Sequence, residues 1–312
     1  MKLITNKDIA SLNISPIDCI NRVREAFEMK SECQLPAKMS VHPTGNDFFT
    51  TMPCLLPKNI GRFGCKVVSR IVGRLPALKS DLMLFDSTTG ELLSIVNCDW
   101  ITAMRTGAVA ALAIKTFRNS QASNYAFIGL GSTARATLTC LLESCADEHL
   151  DIGLFKYKDQ AEKIVAEYSH YSNVSFKIID NIADLVNNAD VVVSCITDAN
   201  GLLVEDENIF KPGVLKVPVH TRGFQNCDTT FDKVFADDTD HVKGFKFFSV
   251  FNEFHQIEEV LKGEVVGRTS DSERILSYNI GLGLHDVLYA SRIYDMLIIW
   301  QKQVLIPRPN RE

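Results

Sequence analysis

The chain has 312 residues, which is long for one compact domain and favours two, at roughly 150 residues per domain. Hydrophobic residues make up 46% and charged residues 23%, and this ordinary globular composition excludes a mainly disordered chain. The formal net charge of −5 excludes a general cationic field for nucleic acid, although a local basic patch stays open.

The apolar stretches, cysteines and histidines exclude further classes of protein. Apolar runs such as Val191–Val193 and Met296–Trp300 fall far short of the ~20 residues of a membrane-spanning helix. The N-terminal segment has no apolar core of the kind a signal peptide needs, so we expect a cytoplasmic protein without a membrane partner. Nine cysteines without a CxxC pair predict reduced thiols, and neither they nor the seven histidines predict a metal site.

The first 120 residues have the pattern of a mixed α+β region. Apolar residues at helical spacing, such as Val23 and Phe27, predict an amphipathic helix, and alternating stretches predict strands. The predicted elements are a helix at 16–31, strands at 63–72 and 81–85, a hairpin joining 82–86 to 91–96, and a helix at 99–117.

After residue 120, short apolar strands alternate with helices, which is typical of a parallel sheet covered on both faces. The predicted strands are 125–128, 150–155, 174–179, 190–195, 214–219 and 234–236. The predicted helices are 132–145, 159–169, 182–187, one near 255–262 and a long one near 285–303. We expect the last helix to return to the N-terminal half, because the sheet is complete without it.

The stretch from Gly129 to Ala134 follows the first strand of this series and opens a helix. Gly129 permits a tight turn, Gly131 allows close backbone approach to a pyrophosphate, and Ala134 takes the packing position. Free amides at the helix start, over Ser132 and Thr133, then face the anion. The sequence therefore predicts a dinucleotide site here, and the alternative is a glycine-containing turn that binds nothing.

The end of the second strand of the series bears on the choice of nucleotide. An NAD site usually has a carboxylate there for the ribose hydroxyls. In this chain Lys156 and Lys158 follow the strand, and no acid appears before Asp159. Two lysines could bind a 2′-phosphate, which favours NADP over NAD, whereas the alternative is a pair of solvated surface charges.

Several sequence blocks appear in the order of one known family. They are Gly64–Val68, Leu84–Asp86, Thr89–Glu91, Ile101–Ala108, Gly129–Gly131, Val191–Thr197 and Gly281–Asp286. On these blocks the chain resembles the ornithine cyclodeaminase/mu-crystallin family. The resemblance implies a homodimer and a hydride transfer between a nicotinamide cofactor, NAD or NADP, and the carbon of a small amino or imino acid.

The resemblance also implies an α/β fold in which a Rossmann dinucleotide-binding domain is inserted in an α+β substrate and dimerisation domain. The expected boundaries are 1–118 for the first part of the substrate domain, 119–286 for the Rossmann domain, and 287–312 for the returning C-terminal helix. The function expected is that of an NAD(P)-dependent oxidoreductase acting on a C–N bond. The alternatives are an ornithine cyclodeaminase-type lyase and a mu-crystallin-like protein that binds NADP(H) and a small ligand.

Two residues match the family's substrate-binding positions. Arg105 matches its carboxylate-binding arginine, and the planar guanidinium suits a bidentate grip on a carboxylate. Small residues at Ala103, Gly107 and Ala111 share its helix, and they favour either plain helix packing or close approach of a ligand. Lys66 matches the substrate lysine; its alternatives are a solvated edge charge and an ammonium that steers the substrate and relays a proton.

The chain departs from the family at two places. Lys38 stands where many members have an arginine, so it supplies charge but not a bidentate fork. His220-Thr221-Arg222 stands where cyclodeaminases carry a Gly-x-Asp, which argues against ornithine cyclisation. An added cation at Arg222 favours a substrate with more than one carboxylate, such as an N-linked glutamate adduct, unless Arg222 is only a surface charge.

The remaining candidates are less specific. His220 has a pKa range suited to acid–base work, but it could equally be an exposed loop residue. Asp286 either caps the last helix or acts near the nicotinamide. Cys195 ends a strand at the expected cofactor cleft, beside Thr197, and is interpreted as a small apolar residue rather than a nucleophile.

Overall fold

The computed structural model describes residues 1–197, 199, 201–219 and 223–304, with side chains up to residue 299. Its strands are β1 (Lys2–Ile4), β2 (Met39–Val41), β3 (Phe48–Leu55), β4 (Arg62–Arg70), β5 (Leu78–Asp86), β6 (Leu92–Asn97), β7 (Asn124–Ile128), β8 (Leu150–Phe155), β9 (Val174–Ile179), β10 (Val191–Ser194), β11 (Leu215–Pro218), β12 (Lys233–Ala236), β13 (Phe254–Gln256) and β14 (Ile275–Tyr278). Its α-helices are α1 (Asn6–Ser11), α2 (Pro16–Met29), α3 (Asp99–Phe117), α4 (Ser132–Ser144), α5 (Gln160–Glu167), α6 (Ile182–Val186), α7 (Thr239–Val242), α8 (Ile257–Leu261) and α9 (Gly283–Val304).

The chain forms two compact units. The first consists of Met1–Ser15, Met29–Thr102 and the chain from Leu282 onward, and the second of Pro16–Glu28 and Ala103–Gly281. These units divide at 102/103 and 281/282, whereas the boundaries expected from the sequence motifs lie at 118/119 and 286/287.

The first unit contains a six-stranded mixed sheet in the order β1-β6-β5-β4-β3-β2. Strand β1 pairs with β6 in parallel, and the other neighbours are antiparallel. Helix α9 packs on β3, β4 and β5. A Cβ at Gly64 would lie 2.8 Å from Cγ2 of Val287, so the absence of a side chain there lets α9 lie close to β4.

The second unit contains an eight-stranded parallel sheet in the order β13-β12-β14-β11-β10-β7-β8-β9. Strands β10, β11, β12 and β14 are buried along their whole length, as expected for a sheet covered on both faces. Helix α3 packs on α4 through Gly107, where a Cβ would lie 2.6 Å from the backbone nitrogen of Thr137. Helix packing therefore accounts for the small residue at Gly107.

The predicted α/β fold class with a parallel sheet is confirmed. Most predicted elements lie within two residues of the observed ones, and the helix at 99–117 has the predicted bounds. The helix predicted near 255–262 is wrong in its first part, because Phe254–Gln256 pairs with β12 as a strand and only Ile257–Leu261 is helical. Strands β1, β2, β3 and β14 were not predicted.

Candidate active site

The loop between β7 and α4 has the geometry of a phosphate-binding turn. Gly129 has a φ of +81°, and a Cβ there would lie 2.7 Å from the backbone of Cys195, so the turn requires glycine. Gly131 is the N-cap of α4, and no heavy atom of the described residues lies within 4 Å of the position its Cβ would take. Open space therefore adjoins a helix start whose first amides lack intrahelical partners.

A cleft of about 400 Å³ opens beside this loop. Its described lining is Ile128, Gly129, Leu130, Gly131, Phe155, Tyr157, Gln160, Cys195, Ile196, Thr197 and Leu203. Burial raises the pKa of the Cys195 thiol to about 12, so the thiol stays neutral and serves as an apolar wall residue. Ala134 is buried behind the loop, whereas Ser132 is exposed and Thr133 half-buried at the start of α4. The residues present fit the pyrophosphate and one nucleoside of a dinucleotide.

The segment that follows β8 carries cations rather than a carboxylate where it leaves the strand. Lys156 and Lys158 are exposed, and Lys158 has a φ of +53° with its Nζ 5.3 Å from the Tyr157 ring centroid. Asp159 is exposed and forms an ion pair with Lys163 at 2.8 Å. The described lining of the cleft holds neither an acidic side chain nor either of these two lysines.

Arg105 is buried in the second unit against a glycine. Gly281 has a φ of +85°, and a Cβ there would collide with Nη1 of Arg105 and lie 3.1 Å from its Cζ. The Gly281 amide donates a hydrogen bond to Oδ2 of Asp237 at 2.5 Å, and Asp237 is buried directly after β12. A buried carboxylate thus fixes the chain segment that lies on the guanidinium.

Lys66 and Asp286 form a buried ion pair in the first unit. Lys66 Nζ lies 2.7 Å from Oδ2 of Asp286, and the side chains are 1% and 0% exposed. Lys66 projects from the face of β4 that packs on α9, and Asp286 stands in the first turn of that helix. Burial excludes the solvated edge charge that was the alternative for Lys66. A buried ammonium needs a counter-charge, and the Asp286 carboxylate is placed to supply it.

Of the other predicted substrate residues, the structure describes only Lys38. His220 and Arg222 lie outside the described residues, and Lys38 is half-buried on the segment before β2. Asp228 does not replace the carboxylate missing near His220, because it is buried between Lys216 and Tyr278. Its Oδ1 accepts from Lys216 Nζ at 2.8 Å, and its Oδ2 accepts a short hydrogen bond from the Tyr278 hydroxyl.

Comparison with known proteins decides the family. A model of the ornithine cyclodeaminase/mu-crystallin family matches residues 2–299. The chain belongs to this family. The resemblance drawn from the sequence blocks is therefore confirmed.

Three relatives within the family illustrate its range. The nodulation efficiency protein NfeD of Rhizobium meliloti is 27% identical over 95% of both chains. An alanine dehydrogenase of Archaeoglobus fulgidus is 26% identical over 94% of both chains. The structure of a Thermococcus litoralis Δ1-pyrroline-2-carboxylate reductase, in complex with NADH and L-proline, shares the fold with a TM-score of 0.83. It is 21% identical, over 96% of this chain and 98% of that one.

Sequence reasoning missed two buried features of the second unit. Asp237 directly follows the four buried residues of β12, and a charge at the carboxyl end of a parallel strand is a usable signal for a site. Lys216 lies inside the buried strand β11, where a cation predicts a buried partner. That partner, Asp228, is not evident from spacing.

Among the residues that the structure describes, no group of three or more His, Cys, Asp or Glu side chains is arranged to hold a metal ion. No helix in this part of the chain combines the length and apolar character needed to cross a membrane.

Proposed function

We propose that this protein is an NAD(P)-dependent oxidoreductase that acts on the C–N bond of a small amino or imino acid. The observation that carries the proposal is the open space at Gly131, which adjoins both the amides of α4 and the cleft. The names of two relatives, an alanine dehydrogenase and a Δ1-pyrroline-2-carboxylate reductase, agree with the reaction class predicted from the sequence.

Arg105 and Lys66 have the chemistry that such a substrate requires. A nicotinamide, when bound, supplies or takes up the hydride at the substrate α-carbon. Arg105 presents a guanidinium fixed by packing, which suits a bidentate bond to the substrate carboxylate. Lys66 is kept protonated by Asp286 and excluded from water, so its ammonium can polarise an imine and give a proton to the imine nitrogen. Whether the protein reduces an imino acid or oxidises an amino acid depends on which of the two substrates is supplied.

We further propose NADP(H) as the preferred cofactor. Lys156 and Lys158 are exposed at the end of β8, where a 2′-phosphate would need cations. Asp159, the first acid after the strand, is engaged with Lys163, and the described lining of the cleft contains neither this carboxylate nor either lysine. A ribose 2′-hydroxyl would therefore find no carboxylate there among the described residues.

Homodimerisation is supported by the face of the first unit's sheet that points away from α9. Alternation along β4 and β5 turns Phe63, Cys65, Val67, Met83 and Phe85 away from α9. Met83 is 40% exposed, and the Phe63 and Phe85 ring centroids are 5.9 Å apart. Exposed Asp81 shares this face, and the apolar side chains beside it favour burial against a second copy. Light scattering tests this, with a mass near twice 34.8 kDa expected.

A paired fluorescence titration with NADH and NADPH tests the cofactor. We expect tighter binding of NADPH, and in Lys156→Gln/Lys158→Gln a roughly tenfold loss for NADPH with NADH unchanged. Lys262→Gln is the matched control, because it removes an exposed cation that follows α8, away from the end of β8 and from the described lining of the cleft. Tighter binding of NADH overturns the NADP preference. If neither cofactor binds, the Gly129 loop is a glycine-containing turn without a ligand.

Turnover is tested with Δ1-pyrroline-2-carboxylate, and with pyruvate plus ammonium, in the presence of the preferred reduced cofactor. We expect cofactor oxidation that depends on the imino acid. Cofactor binding without oxidation by any imino acid would instead favour a binding protein of the mu-crystallin kind.

A further inference from the structure

Two hydroxyl groups connect the buried ammonium of Lys66 to a carboxylate at the start of α3. Lys66 Nζ donates to Thr102 Oγ1 at 3.5 Å, and Thr102 Oγ1 lies 2.9 Å from Ser80 Oγ. Ser80 Oγ donates to Oδ1 of Asp99 at 3.4 Å, and the Ser80 amide donates to the same oxygen at 2.7 Å. All four residues belong to the first unit, so their geometry is internal to it.

We propose that Thr102 and Ser80 form a proton relay between Asp99 and Lys66. The proposal rests on the proposed role of Lys66 as a proton donor. A buried group that gives up a proton in each turnover must recover it, and the Lys66 side chain is only 1% exposed. Hydroxyls both donate and accept hydrogen bonds, so a relay of two hydroxyls can pass a proton in either direction. Asp99 is half-buried and lies at the outer end of the relay.

The relay replaces each proton that Lys66 gives up. When Lys66 gives a proton to the imine nitrogen, its neutral amine accepts one from the Thr102 hydroxyl. Thr102 takes the proton of Ser80, and Ser80 takes a proton that the Asp99 carboxylate has first accepted from water, which returns Asp99 to its charged form. Every hydroxyl is restored, and the net change is one proton moved from solvent to substrate. In the oxidative direction each transfer is reversed.

The ionisable groups around the relay support proton transfer toward Lys66. Asp286 favours the ammonium form of Lys66 and so draws the proton inward. On β3, a hydrogen bond with Cys33 and burial raise the pKa of the Cys54 thiol, which therefore stays neutral. Burial and the charge of Asp99 raise the pKa of the Asp81 carboxyl, which places a second acid near the outer end.

The test compares hydroxyl removal with hydroxyl retention at one position. Thr102→Val removes the hydroxyl without changing the side-chain shape, Thr102→Ser retains it, and Ser80→Ala breaks the next link. Ser94→Ala is the matched control, because Ser94 is equally buried on neighbouring β6 and its hydroxyl has no hydrogen-bond partner among the described residues. Circular dichroism and thermal unfolding verify that each variant folds.

Two readouts are measured on each full-length variant. The first is kcat and KM for Δ1-pyrroline-2-carboxylate with the reduced cofactor. The second is the exchange rate of the Lys66 ammonium protons with water, by ¹⁵N NMR of lysine-labelled protein, which needs no substrate. For Thr102→Val and Ser80→Ala we expect both kcat and the exchange rate to fall about tenfold with KM unchanged. Thr102→Ser should recover most of both rates because it retains the hydroxyl, and Ser94→Ala, the control outside the relay, should behave like the unmodified protein.

The outcomes separate the relay from the proposed function. Unchanged Lys66 exchange in Thr102→Val overturns the relay, and so does a rise in KM with unchanged kcat. Slowed exchange in a protein that reduces no imino acid retains the relay and rejects the proposed function. Slowed exchange together with lowered kcat supports both.

Discussion

Two buried lysine–aspartate pairs, one in each unit, have nearly the same geometry but different surroundings. The Lys66–Asp286 distance is 2.7 Å and the Lys216–Asp228 distance is 2.8 Å. Lys216 Nζ lies 5.6–5.8 Å from the ring centroids of three phenylalanines and also donates to the Phe224 carbonyl at 3.0 Å. The Tyr278 hydroxyl occupies the second oxygen of Asp228, and burial raises the pKa of that hydroxyl.

The surroundings, rather than the ion pair, therefore separate a structural site from a candidate catalytic one. Around Lys216 every neighbour named is an aromatic ring or a fixed hydrogen-bond partner, which makes that pair part of the core. Lys66 instead adjoins the Thr102 hydroxyl and, through Ser80, a half-buried carboxylate. We expect the first pair to serve stability and the second to serve turnover.

The largest expected effect comes from making the same two exchanges in both pairs. Lys66→Met/Asp286→Asn should lower kcat/KM about a thousandfold, because the proposed proton donor is lost. Its stability should change little, since replacing a buried ion pair by neutral groups is often nearly neutral. Steady-state kinetics and thermal unfolding measure both.

The control for this variant is Lys216→Met/Asp228→Asn. It should keep its activity per folded molecule within a few-fold and lose about 2 kcal/mol of unfolding free energy, through lost cation–π contacts and a lost hydrogen bond. The comparison breaks if the Lys66 variant keeps its activity, or if the Lys216 variant loses it while folded.

The second prediction removes one charge of the structural pair. Asp228→Asn leaves the Lys216 ammonium buried without a counter-charge, which should lower the free energy of unfolding by about 3 kcal/mol. Urea denaturation measures this, and adding Lys216→Met should recover part of the loss. Wild-type stability of the single variant would mean that the rings and the Phe224 carbonyl alone hold the ammonium.

Local patterns were sufficient for the parts of the molecule that local chemistry decides. The strands of the parallel sheet are apolar runs bounded by helices, so β8 and β9 were predicted with the observed bounds. The turn at Gly129 was predictable because only glycine accepts its positive φ beside another backbone. In contrast, β3 contains Pro53, which weakens its strand pattern, and it was not predicted.

Partnerships between distant residues were not predictable from one sequence. Lys66 was selected through the family resemblance, but nothing in its spacing identified Asp286, 220 positions later, as its counter-charge. The hydrogen bond of Asp237 to Gly281 depends in the same way on tertiary packing. A periodicity specifies which face of an element is buried, whereas a buried charge specifies only that some partner exists.

The third and smallest effect extends the comparison to a third buried cation, Arg105. A methyl group at Gly281 would displace the guanidinium, so Gly281→Ala should raise KM for the imino acid about thirtyfold through loss of the proposed bidentate bond to the substrate carboxylate. Cofactor binding should not change, because the cleft beside Gly129 is not touched by this substitution.

Gly263→Ala separates displacement of Arg105 from backbone strain. Gly263 has a φ of +75°, close to the +85° of Gly281, but no heavy atom of the described residues lies within 4 Å of its Cβ position. Both variants should therefore lose about 1 kcal/mol of stability to the left-handed conformation, and only Gly281→Ala should raise KM. An equal KM in the two variants would place Arg105 with Lys216, as a cation that serves the core rather than the substrate.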